Sequence, residues 1–334
     1  KKKDTTSSPN EWTVRVNQIS IDNGRFRLDN DSYTPDVTYF DGNHIDFRQI
    51  NGTANNLLMR GDSIKAAVQR FATMERSGFT VKNLQTNLTI RPKAYEFDKL
   101  LLETPNTVLR NHFSMTAQGP KGFGDFVHGV IMNAAFKDAV ISSKDLAYFI
   151  PDARSWNKVI RIDGKVEGSV DRLSADNLLV RLGTNTLING NVSVIGLPDI
   201  NKTLLNIEAK ELRTNYTDAV SFFPALRNVG NPNVKALSYL RFKGTFTGFV
   251  NDFVSFGTIE TALGTLTTDV NMKLPQNGDA IYSGSLSTEG FQLGRLINNP
   301  DLGVVDFHGD LSGRSFDWNK MSLTIDGTVH RIRF

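Results

Sequence analysis

One pattern, apolar, polar, Gly, polar, apolar, polar, Gly, is written three times in this chain. The copies are Ile162-Asp163-Gly164-Lys165-Val166-Glu167-Gly168, Phe242-Lys243-Gly244-Thr245-Phe246-Thr247-Gly248 and Phe307-His308-Gly309-Asp310-Leu311-Ser312-Gly313. Alternate residues of an extended strand share a face, so each copy predicts a strand that is apolar on one side and polar on the other. Glycine inside a strand marks a bend, a bulge or a close approach by other backbone. The repeat therefore predicts a building unit of amphipathic strands, with Gly164, Gly168, Gly244, Gly248, Gly309 and Gly313 permitting curvature.

Composition narrows what such a unit can serve. With 334 residues, 39% hydrophobic and 22% charged, the chain is ordered rather than disordered and long enough for a sizeable core. Its 38 basic and 35 acidic residues are nearly balanced and spread out, which argues against a nucleic-acid partner. Cysteine is absent, which excludes a disulfide scaffold, a cysteine zinc cluster and a cysteine nucleophile. No apolar run reaches the length of about 18 residues that a membrane helix needs. The chain opens on Lys1-Lys2-Lys3 and stops inside an alternating run at Arg331-Ile332-Arg333-Phe334, so it is expected to be a fragment of a longer protein.

Residues 1–11 are polar and read as a linker, and 12–137 as a first β segment. Alternation from Trp12 to Leu28 around Asn23-Gly24 predicts two or three strands with a tight turn, because Asn-Gly is the strongest short hairpin signal. Ile64–Phe71 fits either period, and its strand-like neighbours favour a strand. Further strands are expected up to Phe136, the last starting at Val127. The Gly119–Gly124 stretch has neither phosphate-loop spacing and reads as a turn.

A second segment, 138–334, reads as three cassettes. Ser142-Ser143-Lys144-Asp145-Leu146 up to Pro151 has a serine cap, an acid in the first turn and a proline stop. Thr217-Asp218 up to Pro224 repeats it, and Asp145 and Asp218 are 73 residues apart. The same spacing again reaches Phe291–Ile297, a degenerate third helix. Each helix leads to one Gly-bearing strand, and strands with alternating apolar residues follow, turned at Leu197-Pro198-Asp199 and Asn277-Gly278.

A sheet with one apolar face must cover it with another sheet, with helices or with a ligand. Three helices of two turns at most are too few. The pattern itself leaves two arrangements open: a closed sandwich or solenoid, and an open trough lined by acyl chains. The succession Glu75-Arg76-Ser77-Gly78-Phe79, Ser143–Pro151, Gly196-Leu197-Pro198-Asp199, Gly244–Phe249, Phe256–Gly264 and Tyr282-Ser283-Gly284 resembles TamB proteins of the Bacteroidetes type, within the wider AsmA-like group. The resemblance covers nearly all of the chain from Trp12.

It implies a mostly β fold, a long and strongly curled antiparallel sheet forming an open β-groove with a few short helices. It also implies an internal piece of an envelope protein that spans the periplasm. Partners would be phospholipid acyl chains in the groove, the inner membrane through an N-terminal helix outside this chain, and an outer-membrane BamA/TamA-like barrel through a C-terminal part likewise outside it. The family is associated with phospholipid transfer and with assembly of outer-membrane and secreted proteins. On this reading Ile162, Val166, Val192, Val194, Phe242, Phe246, Val270, Met272 and Leu286 line the groove. The alternative is a lipid-free scaffold that assembles β-barrel or secreted proteins by strand addition.

No enzyme is expected. His44, His112, His128, His308 and His330 are scattered without metal-ligand spacing or a catalytic elbow. Asp145 and Asp218 occupy first-turn helix positions, where a carboxylate favours the helix dipole, and read as a repeat rather than a dyad. Neither a cofactor nor a metal is expected. A glycan site would need paired carboxylates and grouped aromatics, whereas the three tryptophans stand apart at Trp12, Trp156 and Trp318.

Overall fold

The computed structural model describes residues 12–36, 38–119, 122–149, 153–154, 157–222, 224–230, 232–276, 278–315 and 320–333. The expected linker 1–11, the proline stop at Pro151, Pro120-Lys121 of the expected turn and Asn277 lie outside them. The chain is mostly β, 65% strand and 11% helix, and the nineteen strands among the described residues form one antiparallel sheet. It divides into two compact units, one of residues 1–157 with 167–169 and one of residues 158–166 with 170–334.

The first unit is a meander of β1 (Thr13–Asp29), β2 (His44–Arg60), β3 (Ser63–Glu75), β4 (Thr80–Val81), β5 (Asn83–Arg91), β6 (Ala94–Glu103), β7 (Val108–Ala117) and β8 (Val130–Ser142). Two short helices, α1 (Phe126–Gly129) and α2 (Ser143–Leu146), flank β8. Successive strands pair antiparallel, and β3 pairs with both β4 and β5. Ile64–Phe71 is strand, as its neighbours suggested. The hairpin expected at Asn23-Gly24 is not formed. Asn23 takes φ +53° and its N–H donates to Asn51 Oδ1 at 3.0 Å, so the pair is absorbed as a bulge against β2. A 17-residue β2 supplies ladder partners on both sides of the bulge, and one long strand replaces the expected two or three. The strand expected from Val127 starts at Val130, because Asp125 accepts the His128 N–H and caps a helical turn first.

The second unit runs β9 (Val159–Ser169, the last three residues of which belong to the first unit), β10 (Arg172–Leu182), β11 (Thr186–Ile195), β12 (Leu204–Asn215), α3 (Tyr216–Phe222), β13 (Tyr239–Phe249), β14 (Asp252–Thr261), β15 (Gly264–Lys273), β16 (Ile281–Glu289), β17 (Phe291–Gln292), α4 (Leu293–Ile297), β18 (Val304–Arg314) and β19 (Ser322–Ile332). The three cassettes are present as helix, then Gly-bearing strand: α2 before β9, α3 before β13, and α4 before β18. Ser142 caps α2 as expected. At α3 the cap is Asn215 instead of Thr217: its Oδ1 accepts the Asp218 N–H at 2.7 Å. The strong curl expected of the sheet is not observed, and the sheet is not closed. The reason lies in what the glycines do.

Candidate apolar binding face

Registers across β11 to β16 set four rows of residues on one face of the second unit. One row runs Val194, Leu205, Gly248, Phe253, Met272, Tyr282, and the next Val192, Ile207, Phe246, Ser255, Val270, Gly284. A third runs Gly190, Ala209, Gly244, Gly257, Thr268, Leu286, and a fourth Ile188, Leu212, Phe242, Ile259, Leu266. Seven of the residues read as groove lining, Val192, Val194, Phe242, Phe246, Val270, Met272 and Leu286, therefore share this face. Ile162 and Val166 flank Gly164 on β9. A Cβ on Gly164 would stand 3.0 Å from the Cα of Leu178, which pairs with Gly190 in the third row.

The third row is built from small residues, and rings lie across it. A Cβ added to Gly244 would stand 3.0 Å from Phe242 Cζ, and one added to Gly257, its partner on β14, 2.8 Å from Phe242 Cε2. Phe307 covers Gly309 and its partner Gly327 in the same way, at 2.9 Å from each added Cβ. A Cβ on Gly313 would meet the Tyr282 ring at 2.6 Å. The glycine two residues after each phenylalanine thus lets the ring lie flat on its own strand and the next. That use needs space rather than strong bending. At Gly244, φ of +155° and a carbonyl oxygen of Phe256 in the path of any Cβ exclude other residues.

Among the described residues of the rows, Phe242 and Tyr282 are the large side chains that are buried. Phe242 is 9% exposed, while the other eight candidate lining residues are half-buried. Among the described residues, seven of the eighteen buried apolar ones are alanines. Phe246 and Phe253 pack on each other in a tilted pair, with centroids 4.7 Å apart. The first unit carries a similar row that the sequence reading did not single out, Val14, Met59, Ile64, Ile90, Tyr95, Met115 and Met132. Alternation along β3 and β5 was the signal for it.

The acids that recur at spacing 73 clamp turns. Asp218 accepts the backbone N–H groups of Thr184, Asn185 and Thr186, the latter two at 2.7 and 2.9 Å, together with both threonine hydroxyls. Burial pushes its carboxyl up, but the N–H groups of Asn185 and Thr184 and the hydroxyls outweigh that and hold it below the usual carboxylate range. Asp145 does the same for the β6–β7 turn, accepting Thr104 Oγ1 at 2.5 Å and Asn106 Nδ2 at 2.9 Å. The first-turn position is therefore incidental to a side chain directed at the preceding hairpin. Three histidines each pair with one aspartate: His44 with Asp41, His112 with Asp98 and His128 with Asp125. Among the described residues no group of three or more His, Asp or Glu could hold a metal ion, and no helix is long and apolar enough to cross a membrane.

No family model, curated protein or solved structure matches the chain.

Proposed function

We propose that the chain is a segment of a lipid-conducting envelope protein of the TamB type, and that its apolar face forms an open groove for phospholipid acyl chains. The observation that carries this reading is the set of four aligned rows across six strands, whose large apolar members are mostly half-buried, with Phe242, Tyr282 and the small residues Gly190, Ala209, Gly257 and Thr268 buried among them. Soluble proteins rarely leave so large an apolar face open unless something binds it. Each methylene moved from water onto such a surface gains up to about 0.8 kcal/mol. A two-chain lipid could therefore travel along the rows while its head group stayed in water. The role is one of binding and transfer, without catalysis.

The succession of motifs from Glu75 to Tyr282 supports the wider placement: a periplasm-spanning protein, held in the inner membrane at one end and meeting an outer-membrane BamA/TamA-like barrel at the other. Native mass spectrometry with lipid extraction, on protein purified with and without mild detergent, tests it. Several phospholipids per chain are expected. A folded, lipid-free monomer without detergent would refute the groove.

A second reading rests on a different observation. The strand β19 registers with β18, and every one of its eleven residues is exposed. Its outer edge could take an added strand from a β-barrel or secreted client, which is the scaffold role. Cross-linking of extended client peptide along 322–332, in protein stripped of lipid, would favour it.

A further inference from the structure

We propose that the second unit carries a phosphate-binding site built from four arginines on the face opposite the apolar rows. Arg181 of β10 and Arg213 of β12 both neighbour Leu187 of β11, and Arg213 stands directly across from Arg241 of β13. Arg161 of β9 has the same parity as Asp163, which reaches Arg181 at 3.3 Å. The four arginines line one recess of about 600 Å³, together with the Gly183–Thr186 turn and Tyr239. Adjacent residues Leu212 and Phe242 lie in the apolar rows, so the pleat puts Arg213 and Arg241 on the other side.

Two of the four guanidinium groups are paired within the protein, and Glu211 lies two residues from Arg213 on the same face. Asp163 answers Arg181, and Glu260 answers Arg241 at the long distance of 3.8 Å. Asp218, the acid nearest the turn, is already committed to the amides of residues 184–186. Among the described residues neither Arg161 nor Arg213 has an ion pair. Like charges directly across a strand pair, as Arg213 and Arg241 are, destabilise the sheet unless a counter-charge sits between them. Guanidinium forks converging from several strands suit a tetrahedral oxyanion, whose oxygens accept from more than one direction. The occupant is a phosphate group, supplied either by a soluble phosphomonoester or by a lipid head group. The site does not depend on the acyl-chain reading, because it uses the other face.

Isothermal titration at fixed ionic strength with glycerol 3-phosphate, and sedimentation with phosphatidylcholine vesicles containing or lacking phosphatidic acid, test it on the whole chain. Arg161→Gln/Arg213→Gln is the variant, and Arg172→Gln on β10, outside the recess, is the charge control. Far-UV circular dichroism checks folding. Wild type and Arg172→Gln are expected to bind, and the double variant to bind about tenfold more weakly for each guanidinium removed. Saturable binding of glycerol 3-phosphate assigns a soluble source. Binding confined to phosphatidic acid vesicles assigns a head group. Binding of neither probe, equal binding by the double variant, or an equal loss in Arg172→Gln would overturn the proposal.

Discussion

Phe246→Glu separates an open apolar face from a covered one. Phe246 sits on β13 between Ile207 and Ser255, half-buried, with its ring 4.7 Å from that of Phe253. On an open face the glutamate carboxylate turns into water. The loss is then the ring pair, about 0.5–1.5 kcal/mol, plus the half of the side chain that was buried, about 1 kcal/mol. A total near 2 kcal/mol lowers Tm by about 4–8 °C in a unit of this size. Under a covering layer the same change would remove a packed phenylalanine, about 3–5 kcal/mol, and strand an unpaired carboxylate, which adds several more. Thermal melts followed by circular dichroism on delipidated protein read the difference, with Ser283→Glu, exposed on the opposite face between Asn271 and Ser312, as the near-neutral control. Loss of the cooperative transition in Phe246→Glu alone would refute the open face. A folded variant that still carries the wild-type complement of lipid would refute the groove while leaving the open face standing.

Gly244→Ala is expected to destabilise by at least about 2 kcal/mol, because φ is +155° and the added methyl meets both Phe256 backbone and the Phe242 ring; equilibrium denaturation measures it. Asp218→Ala strands the N–H groups of Thr184, Asn185 and Thr186, costing about 2–4 kcal/mol, and hydrogen exchange should rise first at that turn. In the first unit Asp46 is held well below the usual carboxylate range, first by the Arg25 hydrogen bond and then by Arg48, against burial. A depressed folded pKa contributes stability that is fully present above the ordinary carboxylate value of about 4 and is lost as pH falls through the folded value. The Tm gap between wild type and Asp46→Asn is therefore expected to be widest at neutral pH and to close on acidification; a gap independent of pH would refute this.

Much of this fold is legible because the strand period is two and the sheet is a meander. Ile64, Ala66 and Val68 share a face only if the segment is extended, and their partners on β5 (Ile90, Leu88 and Thr86) read the same way. The cassette spacing pointed to α4 despite its weak helix pattern, although Phe291–Gln292 is strand and the helix is Leu293–Ile297. What failed did so for local reasons with tertiary causes. Asn23-Gly24 carries a hairpin signal, and only the length of β2 on its far side turns it into a bulge. Thr217 and Asn215 are both good caps, and the choice depends on where β12 ends.

The glycines and the repeated acids show the deeper limit, since both were found by their spacing and both do something spacing cannot say. A glycine after Phe242 reads as a point of bending. Its purpose appears only when Gly257 is seen opposite and one ring covers both. Asp218 at the start of a helix reads as a dipole partner, yet its oxygens are spent on a turn 32–34 residues earlier. The two devices act on the same problem. A sheet whose rows are mostly half-buried has less of the packing that ordinarily fixes register, and a register slip of one residue would carry every row to the wrong face. Rings seated on paired glycines lock neighbouring strands at one offset, and the aspartate clamps fix the turns from which those strands depart. If that is their role, the Gly244→Ala and Asp218→Ala variants should weaken the order of the rows as well as the fold, and the rings of Phe246 and Phe253 should separate in both.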